Sequence, residues 1–205
     1  MLFRSDATVE QCAKGKATVR LHAAREAAPE PPVAVTLAQA VLKGDKMDDL
    51  VRDAVMIGAS VIQPLVTART EIALATLQRS TRTERWHRIA VSSAKQCGRA
   101  VIPRIAEPIA LDTLFEGVAR TQIPTPALML VEPGASTDAV RLNDFPTEAP
   151  REATVIIGPE GGWSAEELER GVSACSLLTF GGRTLRADAM PLVALSVLFA
   201  HWREF

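Results

Sequence analysis

The stretch Ile156-Ile157-Gly158-Pro159-Glu160-Gly161-Gly162-Trp163-Ser164-Ala165-Glu166-Glu167 joins an apolar run to a helix start through a turn that is rich in glycine. Three glycines and a proline within five positions are typical of backbone that approaches a ligand closely, because side chains there would intrude. Ser164 and Glu167 have the spacing of a capping box, which predicts Ser164 as the N-cap of the helix. The alternative is a tight turn from strand to helix that binds no ligand.

The same turn does not have the composition of a phosphate-binding loop. Glu166, Glu167 and Glu169 crowd the first turns of the helix, and no Lys-Ser or Lys-Thr pair follows the glycines. These carboxylates already occupy the positive end of the helix dipole and would repel an anion. The sequence therefore argues against a phosphate loop.

Outward from this stretch, strand and helix patterns alternate along the chain. Apolar runs that favour strands cover residues 33–37, 61–66, 127–131, 153–157 and 176–180. Periodic or capped segments between them predict helices from about Asp45 and over 83–98, 111–116, 164–173 and 189–203. This alternation is typical of βαβ units. We therefore predict an α/β fold with a parallel sheet and helices on both faces.

Three of the predicted strands end in similar turns. These are Glu132-Pro133-Gly134, Gly158-Pro159-Glu160-Gly161-Gly162 and Gly181-Gly182-Arg183. Ligands of open parallel sheets bind outside the carboxyl ends of the strands. The sequence thus predicts one binding crevice formed by three converging loops.

Composition narrows the class of protein. The chain has 205 residues, of which 47% are hydrophobic and 23% charged, as expected of a globular protein with a substantial core. No apolar run approaches the roughly 18 residues of a membrane span, and the first residues lack the apolar core of a signal peptide. Cys12, Cys97 and Cys175 lie far apart and outside any metal-ligand spacing. We expect a cytoplasmic protein with no metal site, no disulfide framework and no membrane contact.

The net charge of −1 conceals a segregation of charge along the chain. Residues 79–104 contain seven basic residues and one acid, whereas residues 105–170 contain twelve acids and four arginines. This asymmetry favours a basic face for a polyanion. The alternative is a solvated helix surface.

The two ends of the chain differ in character. Residues 1–32 are polar, poorly periodic and end in Ala28-Pro29-Glu30-Pro31-Pro32, which is typical of a linker or domain edge. We therefore divide the chain into an N-terminal segment, 1–32, and a main domain, 33–205. The C-terminal helix has almost no polar stripe, which indicates burial on most sides, by threading or at a subunit interface. We favour a homodimer.

Four motifs in order resemble the SPOUT class of RNA methyltransferases and, within it, the 16S ribosomal RNA uridine-N3 methyltransferase (RsmE) family. The resemblance runs over about residues 35–205. It rests on Leu37-Ala38-Gln39-Ala40-Val41-Leu42-Lys43-Gly44-Asp45-Lys46-Met47, on Arg85-Trp86 with Gln96 and Arg99, on residues 157–162 and on Leu185-Arg186.

This resemblance implies a C-terminal trefoil knot, a homodimer and an N-terminal PUA-like β-barrel, of which residues 1–32 can supply only a truncated part. It also implies that S-adenosyl-L-methionine lies among the three glycine loops. The implied cofactor contacts are Leu130, Val131, Glu132, Gly158, Gly161, Gly162, Gly181, Arg183, Leu185 and Arg186, with Leu195 as a wall of the adenine pocket.

By the same resemblance, the reaction is methylation of a uridine N3 in small-subunit ribosomal RNA. Arg186 is the candidate cation beside the developing oxyanion of the uracil, and Asp188 is the candidate orienting carboxylate or proton acceptor. The alternative is a purely structural pair between these two residues. Arg85, Arg88 and Arg99 are the candidate contacts to ribosomal RNA phosphates.

One departure from the family pattern keeps other functions open. After Leu-Arg the family usually reads Thr-Glu-Thr-Ala, whereas this chain reads Ala187-Asp188-Ala189-Met190. A non-catalytic RNA-binding or ribosome-assembly protein that retains the knotted fold is therefore an alternative. A small-molecule enzyme that binds a nucleotide in the same crevice is a third hypothesis.

Overall fold

The computed structural model describes residues 3–203, and a parallel sheet forms the centre of this part of the chain. Eight strands form the sheet, in the order β5-β4-β3-β9-β7-β10-β8, with β6 also paired to β4. Their bounds are β3 Ala34–Ala40, β4 Val61–Val66, β5 Arg104–Ile105, β6 Ile109–Ala110, β7 Ala127–Leu130, β8 Val140–Arg141, β9 Glu152–Ile157 and β10 Ser176–Thr179. The pairings are all parallel, as the sequence predicts.

Helices cover both faces of this sheet, which confirms the predicted α/β class. The helices are α1 Lys46–Ile57, α2 Leu74–Arg79, α3 Arg82–Cys97, α4 Leu111–Ala119, α5 Ala165–Ala174 and α6 Met190–His201. Successive strand residues point to opposite faces. On β9, Val155 and Ile157 therefore join the core under α1, α3 and α6, whereas Ile156 joins the core under α4 and α5. Burying each such side chain stabilises the fold by roughly 1.5–3 kcal/mol.

The N-terminal segment differs from the predicted linker. Strands β1, Phe3–Ala13, and β2, Lys16–Glu26, form an antiparallel hairpin. Ala7 and Val9 pair with Leu21 and Val19 on one face, while the ion pair between Arg20 and Glu10 lies on the other. Two register shifts interrupt the alternation of apolar and polar residues, so the period of two is hard to detect in the sequence. Whether this hairpin is part of a PUA-like unit stays a prediction.

Helix α6 returns the chain to the centre of the molecule. Strand β10 lies beyond β7, yet α6 packs against α1 and β9 on the other side of β7. This return is compatible with the predicted trefoil knot, and knotting itself stays a prediction. One face of α6 is buried through Ala194, Leu195, Leu198 and Phe199, but Leu192 on the opposite face is 44% exposed. The predicted burial on most sides therefore holds for only one face of the single chain.

Candidate ligand-binding cleft

A cleft of about 540 Å³ opens at the carboxyl ends of β7, β9 and β10, where the sequence predicts it. The loops after these three strands form its walls. Its apolar lining includes Leu130, Val131, Ile157, Phe180, Leu185 and Met190, and its charged lining includes Lys46, Glu132, Glu160, Arg183, Arg186 and Asp188. A mixed lining of this kind suits an organic ligand of moderate size that carries polar groups.

The glycine turn after β9 is held in place by two buried side chains. Trp163 donates from its indole nitrogen to the Leu130 carbonyl at 2.8 Å, and its ring lies against Gly158, where a Cβ atom would come within 3.1 Å of it. Gln39 on β3 donates to the Gly158 carbonyl at 3.2 Å. A glycine at 158 is therefore required by close packing, and the turn has a fixed shape.

Gly162 is required for a different reason. Its φ of +66° lies in the left-handed region, which side chains with a Cβ atom rarely adopt, and a Cβ there would lie 3.3 Å from a carboxylate oxygen of Glu132. The capping box that begins α5 is present as predicted, because Ser164 accepts from the Glu167 amide and Glu167 accepts from the Ser164 amide. Close approach of backbone to the cleft thus explains the glycine content of this turn.

Two ion pairs stand at the rim of the cleft. Arg186 donates to both carboxylate oxygens of Asp188, from Nε at 3.1 Å and from Nη2 at 2.8 Å. Lys46 donates from Nζ to Glu160 at 2.9 Å and lies 3.8 Å from Asp188, so it links the two pairs. The Arg186 guanidinium lowers the pKa of Asp188 through these hydrogen bonds. Burial opposes ionisation of Glu160, but hydrogen bonds from Lys46 and from the Lys43 amide outweigh it, so the pKa of Glu160 is also lowered.

Most of the predicted cofactor contacts line this cleft, and three do not. Those that line it are Leu130, Val131, Glu132, Gly158, Gly162, Arg183, Leu185 and Arg186, together with the predicted catalytic Asp188. Gly161 does not line the cleft. Its carbonyl accepts a hydrogen bond from Arg69 at 2.6 Å. Gly181 lies one residue beyond the lining residue Phe180. The assignment of Leu195 to the adenine pocket is wrong, because this side chain is fully buried in the core beneath α6.

Several cleft residues were absent from the sequence prediction. Lys46 belongs to the 37–47 motif, but it lies 114 residues before Glu160 in the sequence. No sequence pattern predicts the hydrogen bond between these two side chains. Trp163 directly follows the predicted turn 158–162 and Phe180 directly precedes the predicted turn 181–183, so both could have been inferred from these positions alone. Met190 lies at the first turn of α6, where the predicted return of the chain brings it to the cleft.

The three arginines predicted to contact RNA have different surroundings. Arg88 is exposed on α3. Arg85 is also exposed, but it is paired with Asp48 and lies 3.6 Å from Asp45. The prediction for Arg99 is wrong, because its side chain is only 4% exposed and is bound to Glu30. It also donates to the carbonyls of Val55 and Ala59 at 2.8 and 2.9 Å. Arg99 follows the end of α3 at Gly98, where the chain turns inward, so its side chain closes the end of α1.

Two searches of the described part of the chain give negative results. Within residues 3–203, no group of three or more histidine, cysteine or acidic side chains converges in a way that could hold a metal ion. In the same residues, none of the helices has both the length and the hydrophobicity that crossing a bilayer requires.

The strand order, the returning C-terminal helix and the cleft built from three turns at one sheet edge define an α/β protein of the SPOUT methyltransferase class. Residues 29–199 match the family model described as the RNA methyltransferase domain, and the chain belongs to this family. Within it, the chain is similar to proteins of the RsmE group.

Two of these relatives are both named ribosomal RNA small subunit methyltransferase E. The one from Synechocystis sp. is 32% identical over 174 residues, which are 83% of this chain and 54% of the relative. The one from Bacillus subtilis is 29% identical over 177 residues, 82% of this chain and 66% of the relative. The chain thus spans between half and two thirds of the length of these relatives.

Two solved structures share the fold. One is the ribosomal RNA small subunit methyltransferase E of Neisseria gonorrhoeae, which is bound to S-adenosylmethionine. It is 26% identical to this chain, with a TM-score of 0.78, and the match covers 96% of this chain and 78% of the Neisseria chain. A Legionella pneumophila protein solved with the same cofactor is 30% identical with a TM-score of 0.79 over the same shares.

Proposed function

We propose that this chain is an S-adenosylmethionine-dependent methyltransferase that modifies N3 of a uridine in small-subunit ribosomal RNA. The observation that supports it most is the cleft at the ends of β7, β9 and β10, which occupies the position expected for the methyl donor in this family. Family membership over residues 29–199 and the cofactor-bound structural neighbours add to this support.

The residues of the cleft fit such a donor. The apolar walls of the cleft suit an adenine ring. Glu132 forms no ion pair in the described part of the chain, so its carboxylate can balance a positive charge on the ligand or accept a hydrogen bond from a hydroxyl group. The glycine turn, residues 158–162, contains no basic residue that would bind a phosphate. This agrees with S-adenosylmethionine, which carries no phosphate group. S-adenosylmethionine supplies an electrophilic methyl group on its sulfonium sulfur.

The rim residues would act on the uracil. We assign Arg186 to stabilise the negative charge that develops as the N3 proton passes to solvent at the open rim, because its guanidinium stands at the cleft and its side chain is 77% exposed. Asp188 fits an orienting role better than a proton-accepting one, because its lowered pKa makes it a weak base. Its bidentate contact restricts the guanidinium to one orientation, and alignment of reacting groups supplies much of the rate acceleration.

We also propose a homodimer in the cytoplasm. Leu192, Val193 and Val197 form an apolar strip on the outer face of α6, which a single chain leaves partly open to solvent. An obligate interface resembles a core cut in half, and this strip has that composition. Small-subunit ribosomal RNA is the proposed partner, and the exposed Arg85 and Arg88 stay the proposed phosphate contacts among the three predicted arginines.

The decisive experiment combines titration calorimetry with S-adenosylmethionine and a nucleoside profile of small-subunit RNA by mass spectrometry. We expect cofactor binding and the appearance of N3-methyluridine when the protein and S-adenosylmethionine are added together to unmodified small subunits. Absence of both would contradict the proposal. RNA binding without cofactor binding would support the non-catalytic alternative, which the Ala187-Asp188-Ala189-Met190 segment motivates.

A glycine variant makes this test specific to the cleft. Gly162→Val should abolish cofactor binding, because its Cβ atom would crowd Glu132 in the cleft. Gly15→Val is the matched control, since Gly15 also has a positive φ, +78°, but lies in the hairpin turn with nothing within 4 Å of an added Cβ. Both variants carry backbone strain of about 1–2 kcal/mol, so only the loss of binding distinguishes them.

A further inference from the structure

A second concavity of about 250 Å³ lies beside the cleft and shares Glu160 with it. We call it the basic groove. It is formed where β3 and β4 end and α3 begins, and its charged lining is Lys43, Arg69, Glu71, Arg82 and Glu160. The groove therefore opens at the same edge of the sheet as the cleft, on the side of β3.

The two carboxylates of the basic groove are already paired. Glu71 lies 2.6 Å from Lys43, and Glu160 lies 2.9 Å from Lys46. In the part of the chain that the structure describes, neither Arg69 nor Arg82 forms an ion pair. Two guanidinium groups in the groove thus have charge that no neighbouring carboxylate balances.

The start of α3 adds to this positive potential. Arg82 is the first residue of this helix of 16 residues, and the Thr81 side chain makes no capping hydrogen bond. The N-terminus of a helix carries a partial positive charge that favours an anion. Here the Arg82 amide already donates to the Ser80 hydroxyl at 3.3 Å and Glu84 lies in the first turn, so the two arginines supply most of the positive potential. The N-terminus and the two arginines therefore favour the same kind of ligand.

Resting on the proposed function, we infer that the basic groove binds a backbone phosphate of the RNA strand next to the nucleotide that enters the cleft. A base reaches the cleft only as part of a polynucleotide, so the phosphates that flank it must cross the neighbouring surface. Planar guanidinium groups suit phosphate oxygens because they can donate two parallel hydrogen bonds. The shared wall at Glu160 brings this phosphate site and the cleft together.

Arg82 is the residue on which this inference can be tested. Arg69 is unsuitable, because it also holds the Gly161 carbonyl of the cleft turn. Arg82→Gln removes one charge from the groove without touching that turn, and Arg82→Lys keeps the charge. The matched control is Arg120→Gln, which removes an exposed arginine at the end of α4, on the opposite layer of the molecule.

The measurement is binding of a uridine-containing single-stranded RNA at a series of salt concentrations. Arg82→Gln should weaken binding about 5–10-fold and lower the slope of log K against log salt by about 0.7, the value for one phosphate contact on a single strand. In steady-state kinetics the KM for small subunits should rise while kcat stays unchanged. Arg82→Lys should recover most of the slope, and affinity for S-adenosylmethionine should be unaltered in all variants.

Two outcomes would contradict the inference about the basic groove. Both can be distinguished from a failure of the proposed methyltransferase function. If Arg82→Gln and Arg120→Gln have the same salt slope, the groove does not hold a strand phosphate. If inorganic pyrophosphate stabilises the wild type but not Arg82→Gln while the RNA slope is unchanged, the groove binds free anions instead. If the wild type neither binds S-adenosylmethionine nor transfers methyl groups, the proposed function fails, and the salt slope of Arg82→Gln still tests the groove.

Discussion

Arg99 illustrates how the same residue type can serve structure instead of binding. Sequence spacing predicts it on a basic face, but its guanidinium is held by Glu30, by the Val55 carbonyl in the last turn of α1 and by the Ala59 carbonyl just after this helix. The end of a helix leaves carbonyls without partners, and burial makes an unpaired carbonyl costly. Arg99 therefore joins α1, α3 and the segment that precedes β3.

Replacing Arg99 should destabilise the whole protein. Arg99→Ala leaves two carbonyls and the Glu30 carboxylate without a donor, and we expect the free energy of unfolding to fall by about 2–4 kcal/mol. Urea denaturation measures this change. Arg88→Ala, on the exposed side of α3, should lie within about 0.5 kcal/mol of the wild type. An equal effect of the two substitutions would show that Arg99 is not a structural residue.

Arg186 is the opposite case, since its side chain is 77% exposed and its pair with Asp188 contributes little to stability. If it acts on the uracil, Arg186→Met should lower kcat about 100-fold at saturating S-adenosylmethionine. Asp188→Asn should lower kcat less, by about 10-fold, because the charge remains and only its orientation is lost. The measurement is methyl transfer to small subunits under single-turnover conditions. An unchanged rate in Arg186→Met would show that the pair of Arg186 and Asp188 has no role in the reaction.

At the scale of single residues, the roles of the glycines could be predicted from the sequence, whereas the pairing of charges could not. The glycine turn and the capping box are local, so the pattern of residues 156–167 predicts them directly. The ion pair between Lys46 and Glu160 joins positions 114 residues apart, and the burial of Arg99 depends on Glu30, 69 residues earlier. Contacts of this kind depend on the tertiary fold, and composition alone does not encode them.

At the scale of elements, helix α6 leaves apolar side chains partly exposed on its outer face. Its inner face packs on α1 and β9, and its outer face leaves Leu192 44% exposed. Leu192→Asp should give a monomer, because a charge in an isologous interface is buried twice. Val172→Asp on α5 is the control, since Val172 is 42% exposed on the opposite layer.

Sedimentation velocity distinguishes the two variants. We expect a dimer for the wild type and for Val172→Asp, and a monomer for Leu192→Asp. A wild type that sediments as a monomer at all concentrations tested contradicts the proposed interface.

Within residues 33–205, prediction of elements from sequence depended on their length. Strands β1 and β2 were missed although they have 11 residues each, because register shifts interrupt their alternation. The long helices and the central strands were found, but β5, β6 and β8, with two residues each, have too few positions to form a pattern.

At the scale of the whole molecule, the paired carboxylates of the cleft rim link stability to pH. The pKa of Glu160 is lowered because hydrogen bonds from Lys46 and the Lys43 amide outweigh the effect of its burial. The pKa of Asp188 is also lowered by Arg186, but this pair is exposed and contributes little to stability, so Glu160 is the group to test. A carboxyl group whose pKa falls on folding adds stability above its ordinary pKa, and this contribution is lost as the pH falls through the folded value.

Thermal denaturation at a series of pH values tests this linkage. The Tm should change little from neutral pH down to about pH 5 and should fall below about pH 4. Glu160→Gln should have a lower Tm at neutral pH and a shallower decline in acid, since its amide does not titrate. Glu148→Gln, in an exposed loop, should follow the wild type. A parallel decline in wild type and Glu160→Gln would show that this group does not contribute.

The pairing of β3 with β9 constrains when the protein can fold. Ala34 pairs with Glu152 and Gln39 with Ile157, so the middle of the sheet joins segments that are separated by about 118 residues. Such distant pairing makes folding slow, because the entropy of closing a long loop must be overcome before the contact is gained. During synthesis, Leu37 and its neighbours must wait for the glycine turn to leave the ribosome. The protein can complete its core only after residues 152–157 have been made, and an interrupted chain that stops before residue 152 lacks the central strand pair on which both layers of helices rest.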